Sequence, residues 1–162
     1  MTVVAQVARA RVAVVHGDAE SLAGWNFSQE TLATPEGLRW AEQAFSDAQV
    51  RIFASSHSCL PVMRRVGRDA LVANNGAAGM PNFRGTGFGL ATRISHAPYP
   101  GAVYGARSGE LFVDAVAIDY EQSAWRARFV AQWPEGSDAH RSYFARIVDG
   151  PRYERHQALR RA

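Results

Sequence analysis

Short apolar runs alternate with stretches of helical period along the first half of the chain, and that alternation predicts an α/β fold. Val12 to Val15 is continuously apolar, the pattern of a strand covered on both faces, and Val50 to Ala54 repeats it. Between them Thr34-Pro35-Glu36 reads as a helix start: a capping hydroxyl, a proline at the first helical position and an acid in the first turn. Leu38, Ala41, Ala44 and Phe45 then recur at helical spacing, which carries the helix to about Ala48 with that face buried. Asp18, after Gly17, is placed to cap a helical turn through Ala19 to Ala23. Leu60 to Val66 and Ala70 to Ala73 read as strands joined by Gly67-Arg68-Asp69, a hairpin. Beyond a glycine-rich stretch the pattern becomes antiparallel β, over Gly89 to Ser95, Val103 to Ala106 and Leu111 to Asp119. Helical segments close the chain: Glu121 to Trp133, stopped by Pro134, then Ser137 to Val148 and a weak one after Pro151. Trp125, Phe129 and Trp133, four residues apart, predict a core-facing stripe, and His140 belongs with Tyr143, Phe144 and Ile147 to a structural helix.

Composition narrows what this pattern can build. A chain of 162 residues, 47% apolar and 20% charged, can bury a core, and with no repeat or linker visible it reads as a single domain over 1–162. All 18 basic residues are arginine and the formal charge is +3, but the arginines are dispersed, doubled only at Arg64-Arg65 and Arg160-Arg161. A nucleic-acid partner calls for a clustered stripe, so none is expected. The single cysteine, Cys59, excludes an intrachain disulfide framework and suits a reducing, cytoplasmic compartment. The apolar stretch from Val3 to Val15 is interrupted by Gln6, Arg9 and Arg11, unlike a secretory signal, and no run is long enough to span a bilayer.

Candidate chemistry concentrates where the predicted interior strands end. His16 follows Val12 to Val15 and leads into Gly17-Asp18; His57 follows Val50 to Ala54 within Ser55-Ser56-His57-Ser58-Cys59. Strand ends are where α/β proteins place ligands and catalytic groups. The hairpin then delivers Asn74-Asn75-Gly76-Ala77-Ala78-Gly79, in which asparagine before glycine serves a turn, and Phe83-Arg84-Gly85 offers a guanidinium that could grip a phosphate or simply stay solvated.

In this order the motifs resemble the C-terminal half of the calcineurin-like metallophosphoesterases, over Val12 to Tyr120. The resemblance implies a partial metallophosphoesterase-like α/β sandwich, with a mixed sheet and C-terminal helices. It also implies hydrolysis of a phosphoester with divalent metal ions, manganese, iron or zinc. His16 matches the histidine of that family's His-Gly motif and His57 the first histidine of its late Gly-His-x-His motif, and both would hold the same metal. The second late histidine falls on Cys59, a thiol that favours zinc over manganese or magnesium, and the preceding glycine falls on Ser56. Asn74 to Gly79 matches the Asn-Pro-Gly-Ser-x-Gly segment without its proline and serine, so Asn75, Gly76 and Arg84 stand as the substrate-loop candidates.

The family's Asp-x-His, Gly-Asp-x-x-Asp and Gly-Asn-His/Asp motifs do not stand upstream of His16, and Asp138-Ala139-His140 has the letters of the first at a helix start. A two-metal site needs a bridging acid to hold the ions about 3.5–4 Å apart. The expectation is therefore a truncated chain, a site completed by another copy or chain, or an interaction domain that retains the fold without turnover. A half-sandwich would also leave a sheet face or edge uncovered, which predicts self-association unless a partner fills it.

Overall fold

The computed structural model describes residues 3–160. The strands are β1 (Val3–Val7), β2 (Ala10–Val14), β3 (Ile52–Ser55), β4 (Val62–Val66), β5 (Ala70–Asn74), β6 (Gly89–Ser95), β7 (Tyr104–Ser108), β8 (Leu111–Ile118) and β9 (Leu159–Arg160). The helices are α1 (Pro35–Ala48), α2 (Gln122–Gln132), α3 (Asp138–Asp149) and α4 (Arg155–Ala158). A six-stranded mixed sheet runs in the order β1-β2-β3-β5-β4-β9, and a three-stranded antiparallel sheet in the order β6-β8-β7. At the centre β2, β3 and β5 are parallel, with Val12 opposite Ile52 and Ile52 opposite Leu71.

Alternation of side chains across the large sheet divides the core into layers. One face, with Ala13, Phe53, Val62 and Val72, packs on α1 and on two residues that precede it, Phe27 and Leu32, the latter in a single 3-10 turn over Thr31–Ala33. The other, with Val12, Ile52, Met63 and Leu71, packs on Leu111 and Val113 of the small sheet. A third cluster, Phe83, Leu90, Ala115, Tyr153 and Ala158, ties the chain's last segment to the small sheet. α1 forms where the pattern placed it. The Thr34 Oγ1 accepts the Gly37 N–H at 3.0 Å, Pro35 takes the first helical position, and Gln49 leaves the helix with φ +52°. This architecture is the mixed α/β class expected from the sequence, with the small sheet and C-terminal helices in place.

Several elements differ from the pattern. β1 is an edge strand paired antiparallel with β2 through a turn in which Ala8 has φ +54°, so no glycine or asparagine announces it. β9 is a two-residue strand that exists only because β4 is beside it. Ala19 to Ala23 forms bends and a turn rather than a helical turn, as the Asp18 carboxylate accepts N–H groups both within that segment, from Glu20 and Ser21, and beyond it, from Asn26. On α2 only Phe129 is buried; Trp133 is exposed, because the neighbouring α3 covers a narrower stripe than the aromatic spacing offers.

Candidate functional site

The β2 and β3 ends carry His16 and His57 to one place. The parallel pairing continues past both strands, Val15 N–H to Ala54 carbonyl at 2.9 Å and Ser56 N–H to His16 carbonyl at 3.1 Å, so the two loops leave the sheet side by side. His16 Nε2 then lies 3.1 Å from His57 Nδ1, with the rings edge to face at a centroid separation of 4.9 Å. That distance fits an N–H···N hydrogen bond. It also fits two nitrogens bound to one cation: metal–nitrogen bonds of about 2.0–2.1 Å place adjacent ligands roughly 3–3.4 Å apart.

The His57 loop is held in an unusual backbone. His57 has φ +44° and Cys59 φ +60°, both left-handed and neither glycine, and the Ser58 N–H reaches back to the Ser56 carbonyl at 2.6 Å. Such positions cost on the order of 1–3 kcal/mol each and persist only where surrounding contacts impose them. Those contacts are present. Ser55 Oγ donates to the Gly17 carbonyl at 2.9 Å, Ser56 Oγ to the Gly76 carbonyl at 3.2 Å, and Asn74 Nδ2 to the Phe27 carbonyl at 3.0 Å and Ser58 Oγ at 2.8 Å. From the other side Arg146 of α3 donates to the carbonyls of Cys59 and Pro81. Burial holds its guanidinium below the usual arginine range.

The remaining candidates take separate places. Cys59 directs its thiol to the His57 carbonyl at 3.2 Å. Among the described residues no group of three or more His, Cys, Asp or Glu side chains is arranged to hold a metal ion. Asn75 Nδ2 donates to the Leu90 carbonyl at 2.7 Å, fixing the start of the small sheet against this loop. Gly76, buried with φ +72°, passes so close to Pro61 and the Asn82 side chain that a Cβ would collide with both. Arg84 lies away from the pair, beside the α3 cleft, with its Nε 3.6 Å from Glu154.

The loop between His16 and α1 carries more than the local cap that its sequence suggests at Asp18. Asp18 is 4% exposed; its Oδ1 accepts the N–H groups of Glu20 and Ser21 and its Oδ2 that of Asn26. The loop so fixed presents Leu22, 61% exposed, and Trp25, 57% exposed, with the indole edge to face on His57 at 5.4 Å. An exposed tryptophan against a histidine is the signal that could have marked it, but its contact to His57 spans the fold.

No protein-family model and no curated protein matches the chain. Solved structures do. A hypothetical protein from Pyrococcus horikoshii aligns with 94% of the chain at 13% identity and a TM-score of 0.58, and a metallophosphoesterase from Sphaerobacter thermophilus with 86% at 17% identity and 0.51. The likeness is one of fold. The chain spans about half the length of each, 51% and 55%.

Proposed function

We propose that the chain is a phosphoester-handling module in which His16 and His57 hold one divalent cation. The observation that carries the reading is the 3.1 Å approach of their ring nitrogens at the ends of adjacent parallel strands. The side chains fit one ion rather than two, since among the described residues no carboxylate joins the pair, and the Cys59 thiol is engaged with its own loop. Imidazole ligands favour zinc or iron over magnesium. A bound ion would supply positive charge to a phosphoryl oxygen and acidify a water. The chain's own residues do the rest: the Ser55, Ser56 and Asn74 hydrogen bonds hold the loops that carry the two imidazoles, and the Trp25 indole, edge to face on His57, forms an apolar wall beside them. That wall suits an ester whose organic group is aromatic or apolar. Further coordination positions are open to water, to the substrate or to side chains of another chain.

Calorimetric titration with zinc and manganese, with hydrolysis of an aryl phosphodiester followed in parallel, tests this. The expected result is one zinc per chain, lost in His16→Ala and in His57→Ala. Zinc binding that survives both substitutions would overturn the reading.

A second reading, an assembly module with no turnover of its own, is favoured by the free edge of β1. Val3 and Val14 are paired across β1 and β2 and remain 52% and 45% exposed. Zinc binding without hydrolysis, together with self-association through this edge, would favour it.

A further inference from the structure

At the end of the large sheet opposite the histidines, tertiary structure gathers arginines that the sequence scatters. Arg9 lies in the β1–β2 turn, Arg11 enters β2 and Arg51 precedes β3, with the Arg51 N–H on the Arg11 carbonyl at 2.9 Å. These three line a cleft of about 400 Å³ together with Phe45, Gln49 and Asp69. The size falls in the range of small-molecule sites. An adjoining recess of about 210 Å³ shares Arg9 and Arg51 and extends to Gly109 in the β7–β8 turn. Gly109 has φ +58°, and a side chain there would strike the Arg51 guanidinium, so glycine both makes the turn and leaves room for that group.

Arg9, Arg11 and Arg51 take part in none of the ion pairs among the described residues. Nearby, Arg65 donates to the carbonyls of Arg68 and Arg107, and Arg107 to that of Gly109, so these guanidinium groups are also met by neutral oxygens. Asp69 in the cleft wall and Glu110 in the adjoining recess are the acids that line the site, against three arginines, which leaves an excess of positive charge.

We propose that this cleft binds a compact, multiply charged phosphate group of the kind a diphosphate or triphosphate carries. Guanidinium forks match phosphate oxygens bidentately, and several converging on a concave surface achieve what a single exposed ion pair does not. The arginines stand around a recess bounded by the β1–β2 turn, the end of α1 and the β4–β5 turn, rather than along a stripe, which favours a compact ligand over a polymer. The site is separate from the histidine pair by the length of the parallel strands, about 16 Å.

Calorimetry with inorganic tripolyphosphate tests the proposal, using the full chain in EDTA at low ionic strength so that no metal takes part. Binding is expected to weaken about tenfold or more in Arg9→Gln/Arg51→Gln, to tighten in Asp69→Asn, and to stay within about twofold in His57→Ala. The arginine substitutions remove exposed side chains, and an unchanged melting temperature will show that the fold persists. Absence of binding to the wild-type chain, equal binding to the double variant, or loss in His57→Ala would overturn the proposal. So would binding of a single-stranded oligonucleotide where tripolyphosphate does not bind.

Discussion

His57 combines a side chain suited to ligation with a backbone that disfavours it, and the two can be separated by substitution. His57→Gly and His57→Ala both remove the imidazole, but only glycine adopts φ +44° without strain. The glycine variant is expected to be more stable than the alanine variant by about 1 kcal/mol in urea unfolding, with zinc binding lost in both. Asp18 is the second residue on which the site turns. Its carboxylate is buried and takes N–H groups from Glu20, Ser21 and Asn26, so Asp18→Ala leaves those donors without their acceptor. A loss of about 2–3 kcal/mol is expected, with Trp25 freed from His57 and a shifted fluorescence spectrum as the readout. The sequence exposes Asp18 as a local cap. Its bond to Asn26, eight residues on, follows from how the loop folds back, which no local pattern encodes.

Among the elements, those with many residues in one periodic pattern are legible: α1 matches its expected span, and α2 and α3 differ from theirs by single residues. β1 and β9 are not, because each is a short strand whose extended form depends on its neighbour's hydrogen bonds. α3 also has a role its periodicity does not reveal, as the element that delivers Arg146 to the carbonyls of Cys59 and Pro81. Arg146→Met retains most of the apolar stem but leaves those carbonyls without a charged donor. A loss of about 2 kcal/mol in chemical denaturation is expected, with weaker zinc binding through a loosened His57 loop. On the exposed face of the same helix Arg141 pairs, among the described residues, with the exposed Asp138, and Arg141→Ala is expected to change neither quantity.

For the whole molecule, the arrangement of layers decides which surfaces remain open. The face of the large sheet that carries Ala10 and Val12 is covered by the small sheet, while Val14 on the same face, and Val3 beside it, are left exposed. With β1 as the free edge, sedimentation is expected to show concentration-dependent self-association that Val3→Lys/Val14→Lys abolishes while the fold is kept. The fold class, most of the elements and the strand-end placement of His16 and His57 were determined by the sequence itself. Burial selects a period within each segment, and an apolar run ends where its loop must meet water. Tertiary structure alone decided which of those ends are neighbours. The approach of His16 to His57, the contact of Trp25, the reach of Arg146 and the gathering of Arg9, Arg11 and Arg51 join residues set by the parallel register of β2 and β3 and by packing on both sheet faces. That register is fixed by the core as a whole, because a shift of one residue would send Val12 to the α1 side and Ala13 to the small-sheet side, each into the wrong core layer, and no local stretch of chain carries that information.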